Sequence, residues 1–314
     1  MSRAVRAGVA AVVAVLAAWA VYAAWQTVAA VGSGAWRAAW LLPGLMALNS
    51  LQLLLSSRAW RRLVIPPVPG RAVFFRLRLV REGIDSLLPV AQVGGEIVGA
   101  RLLAGRGVAL PLAAASVVVD VTVEFLTQIV FLFAGLAVMS LLPGIDTSWQ
   151  GWFGAAALAA IMAGALLIAQ RCGVLRLVEA LVRQIAARFP ALADVPLEGL
   201  HAAALALYRR RGPMLGAAGL HLLAWMLGTF ETWAVLRALG SPVGLAQALV
   251  IESLGMAARS AGFAIPGALV VQETGFVLAA AAMGVPQVDG LTLSVVKRVR
   301  EVGVGLIGLA MWRR

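Results

Sequence analysis

Apolar runs of about 20 residues, each long enough to cross a bilayer as a helix, recur along this chain between clusters of arginine. Runs at roughly 5–30, 36–57, 108–140, 150–170, 213–238 and 289–312 predict spanning helices. Two further stretches, 71–106 and 243–287, are interrupted by glycine and proline. They predict helical hairpins that enter the membrane and return to the same side. Residues 171–212 read as an amphipathic, basic region on the surface.

The arginine clusters orient these elements. The N-terminus, 58–81, 171–212 and the C-terminus are basic, which predicts that all four face the cytoplasm. The turns near 31–35, 142–149 and 239–243 lack Lys and Arg and are expected outside. The 71–106 hairpin then opens inward and the 243–287 hairpin opens outward. The first run, long for a signal-peptide core, is expected to be retained.

Composition strengthens this picture. The chain is 62% hydrophobic and 13% charged, with mean hydropathy +0.93, so it is expected to be a polytopic membrane protein. The 26 Lys+Arg against 14 Asp+Glu mark topology and contact with anionic headgroups rather than nucleic acid. A single cysteine, Cys172, precludes an internal disulfide, and no Cys/His spacing implies a metal or cofactor. No P-loop, nucleophile elbow, HExxH or strand-linked GxGxxG points to an enzyme.

The two broken stretches match each other. Sliding "LPVAQVGGE" (88–96) onto "IPGALVVQE" (265–273) lays Pro89 on Pro266 and Glu96 on Glu273. The same slide lays Gly107 on Gly284, Asp120 on Lys297 and Glu124 on Glu301, and the run 36–57 on 213–234. This predicts an internal repeat, 36–140 and 213–312, within one membrane domain spanning 1–314. The orientation above makes the copies inverted, a pattern found in transporters. Pro89, Gly94, Gly95, Pro266 and Gly267 would break the hairpins at membrane depth, where freed backbone groups must be buried or line a wet cavity.

Ionisable residues inside the membrane are the candidate functional groups. Glu96 and Glu273 follow the breaks. Asp120 and Glu124 share a helix face with Ser116 and Gln128, and two like charges there require that one be protonated or that a cation neutralise them. The slide nominates Lys297 or Arg298, beside Glu301, near a pseudo-two-fold axis. Glu82, Asp85, Arg101, Glu252 and Arg259 are weaker candidates, and Glu231 is expected near water. The arginines of 71–81 read as a solvated loop, with binding of lipid phosphate as the alternative. His201 reads as a solvated surface residue, and His221 as a packed, hydrogen-bonded one, with a proton carrier as the alternative.

"SLLPVAQVGGEIVGARLL" and "FAIPGALVVQE" resemble the flippase-like membrane domain of the lysylphosphatidylglycerol synthase superfamily, most closely its hopanoid-biosynthesis-associated branch. The second motif departs from the family pattern PGGLGxQE, with Ala268 and Val270 in place of glycines. The resemblance implies a lipid-handling cavity that includes Glu96, Arg101 and Glu273. Without a soluble aminoacyl-transferase domain, headgroup synthesis is not implied.

The expectation is therefore an all-α integral membrane protein of the bacterial inner membrane, a polytopic bundle with inverted repeats and two re-entrant helical hairpins. It would move an amphipathic lipid, a hopanoid or modified phospholipid, between leaflets. Its headgroup would pass Glu96, Asp120, Glu124, Glu273, Lys297 and Glu301. The rivals are a membrane-embedded enzyme acting on a lipid or polyprenyl carrier, and a non-catalytic scaffold for lipid-biosynthesis enzymes.

Overall fold

The computed structural model describes residues 38–66, 68–87, 94–143, 150–177, 179–180, 198–262 and 270–312. The run 5–30 and the breaks Pro89, Pro266 and Gly267 lie outside the described residues.

Repeat one contributes α1 (Leu42–Leu63), α2 (Arg71–Leu87), α3 (Gly94–Ala104) and α4 (Leu110–Leu141). Then come α5 (Gln150–Arg171) and α6 (Leu200–Tyr208). Repeat two contributes α7 (Arg211–Leu239), α8 (Leu245–Ala261), α9 (Val271–Ala282) and α10 (Gln287–Trp312). Among the described residues there is no strand. The chain is an all-α membrane protein. By length and composition α4 and α7 pass as spans most clearly. Their outward side chains are apolar, including Val130, Phe133, Leu215 and Phe230, as a lipid-facing surface requires.

Helix boundaries follow local chemistry. Pro43 and Pro111 sit in the first turns of α1 and α4, where a missing N–H costs nothing. Gly240 ends α7 in the left-handed conformation, and its N–H reaches the carbonyl of Arg237. α1 starts and ends about six residues later than the apolar run predicts, so Arg58, Arg61 and Arg62 ride on the helix instead of in a loop. The arginines of 71–81 likewise form α2, and Arg78 and Arg81 are buried. The basic density was read as solvated because arginines usually are. Here each of these two finds carboxylates inside the bundle.

The slide that aligns the two motifs also aligns helix starts. Gly94, first residue of α3, falls on Val271, first of α9; Leu110, first of α4, falls on Gln287, first of α10. The packing corresponds too. α1 packs on α2, α2 on α3 and α3 on α4, as α7 does on α8, α8 on α9 and α9 on α10. Each hairpin crosses to the other copy: α2 packs on α10, and α8 on α4.

Named contacts give the directions. Leu45, near the start of α1, clusters with Val235 and Leu239 at the end of α7, and the Leu63 carbonyl accepts from Arg210 ahead of α7, so α1 and α7 are antiparallel. Asp120 and Thr127 of α4 meet His221 and Trp225 of α7 in the same order, so these two are parallel. Ser241, just past α7, bonds Asp289 at the start of α10 at 2.7 Å, while Glu231 meets Lys297 further in, so α7 and α10 are antiparallel. Helices that occupy equivalent places in the two copies therefore run in opposite senses.

The two crossings use different chemistry. At α2–α10, Gly83 and Gly308 bring backbone against backbone; a Cβ on Gly83 would lie 3.0 Å from the Leu309 nitrogen, and one on Gly308 would meet the Leu79 carbonyl. Small residues permit this approach between membrane helices. At α4–α8, Gln128 instead donates to the Met256 carbonyl at 2.8 Å and accepts from Ser260 at 2.8 Å.

α4 and α10 share no major contact face; α2 and α8 are their partners across the repeats. The expectation that Asp120 and Glu124 meet Lys297 or Arg298 is therefore not met.

Candidate functional site

Charged side chains within the bundle collect into two networks, one centred on α2 and one on α10. In the first, Arg81 of α2 is the hub. Its Nε lies 2.5 Å from Glu96 Oε2 on α3 and its Nη1 3.2 Å from Asp120 Oδ2 on α4. Its guanidinium lies 4.8 Å from the Trp60 ring, whose indole N–H is held by Ser116 at 3.0 Å. Arg78, almost one helical turn earlier, pairs with Glu124 at 2.7 Å. Asp120 accepts a second contact from His221 Nε2 of α7 at 3.0 Å. Asp120, Arg81 and His221 are each at most 1% exposed.

The glycines of the opening motif make this network possible. The Gly95 N–H donates to Asp85 Oδ1 at 2.8 Å, and a Cβ on Gly95 would strike the Arg81 carbonyl. A Cβ on Gly99 would stand 2.7 Å from Arg81 Cδ. Any larger residue at 95 or 99 would push α3 from α2 and pull Glu96 out of reach.

The second network is built on α10. Lys297 lies 2.9 Å from Glu252 of α8 and 3.4 Å from Glu231 of α7. Arg300 pairs with Glu231 and lies 3.3 Å from Glu301. Glu301 also accepts from Arg259 of α8 at 2.7 Å, and Arg259 reaches Gln272 of α9 at 2.7 Å. Arg298 pairs with Glu273 at 3.1 Å, so the aligned glutamates Glu96 and Glu273 are each held by an arginine, from α2 in one copy and from α10 in the other. Glu82 of α2 lies within electrostatic reach of both Arg78 and Arg259, and so stands between the networks.

Both networks sit deep. Asp120 and His221 each lie about ten residues into their helices, and Lys297 the same distance into α10, so each is about 15 Å from its helix start. For a helix that starts at the membrane surface, that distance is about half of a hydrocarbon core about 30 Å thick. Burying such charges costs several kcal/mol per ion unless each is paired and hydrogen-bonded. Pairing is what the structure supplies.

Of the sequence candidates, Glu96, Asp120 and Glu124 meet in the first network and Glu273, Lys297, Arg298 and Glu301 in the second. Arg101 is exposed near the end of α3 and stands apart. Gly94 and Gly95 open α3. Several partners were missed or undervalued. Arg78 and Arg81 hid in a basic run; their i,i+3 spacing was the available signal. Glu231 was placed near water but is 1% exposed, because Arg300 and Lys297 reach it. His201 is buried rather than solvated; its backbone N–H donates to Glu179. His221 is packed and hydrogen-bonded, as read.

The fold also gathers donors that linear spacing conceals. Asp120, Glu124 and His221 bring one ligand-type atom each within 4.8 Å of one another. Arg81 and Arg78 already engage the two carboxylates, and a dication set beside two guanidiniums would be repelled.

A surface crevice between α2, α3 and α10 adds a further polar feature. Arg76 and Arg106 line it with Leu77, Val80, Leu102, Met311 and Trp312. Arg76 Nη2 donates to the Met311 carbonyl at 2.8 Å, at the end of α10.

No curated protein and no solved structure matches the chain. A family model described as the lysylphosphatidylglycerol synthase TM region matches residues 6–308. That match runs through both hairpins and both ionic networks, and on this ground the chain belongs to the lysylphosphatidylglycerol synthase transmembrane-region family.

Proposed function

We propose that the chain moves an amphipathic lipid between the leaflets of the bacterial inner membrane, with its N- and C-termini cytoplasmic. The observation that carries this reading is the pair of buried ionic networks, one centred in each of two oppositely running modules. A lipid headgroup crossing hydrocarbon needs polar partners at the depth where water is scarce, while its tail stays in lipid. Acids and arginines that exchange partners can offer such contacts in turn. The two modules form a duplicated, inverted repeat, and rocking one against the other would expose the networks to alternate faces. The smooth glycine contact of α2 on α10 suits such motion better than the hydrogen-bonded contact of α4 on α8. The family match favours lipid as the cargo. Resemblance to the hopanoid-associated branch favours a hopanoid or modified phospholipid, with lipid-biosynthesis enzymes as neighbours.

Purified protein in liposomes carrying a headgroup-labelled lipid tests this. The reading predicts transfer of intact lipid to the opposite leaflet, lost in the Glu96→Gln, Glu273→Gln double variant. Chemical conversion of the label without transfer would mark an enzyme. Transfer no faster than in empty liposomes would leave only a scaffold role.

A further inference from the structure

We propose that His221 and Asp120 form an exchangeable proton site within the first network. Its role in driving transport rests on the reading above; the site itself does not.

The charge balance of the two networks differs. In the second, Glu231, Glu252, Glu273 and Glu301 face Arg259, Lys297, Arg298 and Arg300, acids and cations in equal number. In the first, among the described residues, Glu96, Asp120 and Glu124 face Arg78 and Arg81. Asp85 adds another acid beside Glu96, and Glu82 another beside Arg78. Arg259 reaches Glu82 electrostatically but is bonded to Glu301. An uncompensated buried negative charge is costly, so the first network needs one more cation or a bound proton.

His221 is placed to become that cation. Its Nε2 lies 3.0 Å from Asp120 Oδ1, and Glu124 lies within the same close group. Its Nδ1 is buried with no hydrogen-bond partner among the described residues. A neutral imidazole has one N–H and one bare nitrogen. A proton from water adds to the bare nitrogen, giving an imidazolium that donates to Asp120; release to water reverses the step. The equivalent of Asp120 in the second copy is Lys297, which lies between Glu231 and Glu252. The switchable pair thus joins the two copies, with Asp120 on α4 and His221 on α7.

Other charges near His221 do not supply the missing cation. α1 brings Arg62 against Gly216, more than one turn along α7. α8 and α10 bring Glu252, Lys297 and Arg300 to Gly228 and Glu231, two turns the other way. On α6, Tyr208 bonds Gln170 instead.

The chain has 2 histidines, so the test is direct. Protein labelled with 15N-histidine is placed in liposomes, and solid-state NMR is recorded from pH 5 to 8, with His201→Gln assigning the signals. The proposal expects the His221 nitrogens to pass from neutral to imidazolium shifts within that range, and Asp120→Asn to move the midpoint. A single protonation state from pH 5 to 8 would overturn it. Lipid transfer that follows the His221 midpoint, and loses its pH dependence in His221→Gln, would tie the site to transport. Titration of His221 with no lipid transfer at any pH would uphold the proton site and overturn the transport reading instead.

Discussion

Arg81 and Asp120 meet 3.2 Å apart, from two helices, with both side chains almost wholly withdrawn from their surroundings. Neither charge could occupy that depth alone. Breaking such a pair from one side leaves an uncompensated ion and costs about 3–5 kcal/mol. Arg81→Met should therefore destabilise strongly in SDS-titrated mixed micelles. Adding Asp120→Asn should restore part of the loss, with a coupling of about 0.5–3 kcal/mol. Additive effects of the two substitutions would contradict the pairing.

Lys297 is the matching test in repeat two. Lys297→Met leaves Glu231 and Glu252 facing each other across the vacated site, although Arg300 still holds Glu231. The expected loss is again about 3–5 kcal/mol. Glu252→Gln in the same chain should recover a large share, since it removes the acid that depends most on Lys297. Equilibrium unfolding of the single and double variants checks this.

The α2–α10 crossing depends on atoms that are absent. A methyl at position 308 collides with the Leu79 carbonyl, so Gly308→Ala should destabilise by about 1–3 kcal/mol despite the better helix propensity of alanine. Gly219→Ala, on α7 with nothing within 4 Å of its Cβ position, should stabilise by about 0.5–1 kcal/mol. Opposite signs for the two substitutions are the expected result.

Val270 immediately precedes α9 at φ +69° and ψ −43°, a conformation β-branched side chains rarely adopt. Its side chain is 73% exposed, so little packing would be lost with it. The resembling family pattern carries glycine at this position. Val270→Gly should raise stability by about 1 kcal/mol, the relieved strain less glycine's entropy. A loss of stability in thermal unfolding would show that the valine makes a contact outweighing its strain.

Much of the fold was legible because the membrane simplifies the rules. Charge-poor runs gave α4, α5, α7 and α10 to within about three residues, and Pro111 and Gly240 marked ends as expected. The inward face of Ser116, Asp120, Glu124 and Gln128 followed from helical spacing alone. Partners did not follow. The slide equates Asp120 with Lys297, and opposite charges in equivalent places invited the inference that they pair. Equivalent places in two copies need not touch, and here α2 and α8 supply the opposing surfaces. Arg78 and Arg81 were hidden by a rule that is sound on average, since a basic run beside a span normally stays in water. Only the tertiary position of Asp120 and Glu124 reverses it.

The central claim is that equivalent helices enter the membrane from opposite faces. Impermeant maleimide labelling of intact cells tests it most directly, in a Cys172→Ser background with a single cysteine at Arg106, ahead of α4, or at Gln287, the first residue of α10; both positions are exposed. The account predicts that Gln287→Cys is labelled from outside and that Arg106→Cys is labelled only after the cells are opened. Labelling of both from one side would contradict the inverted arrangement and the lipid path built on it.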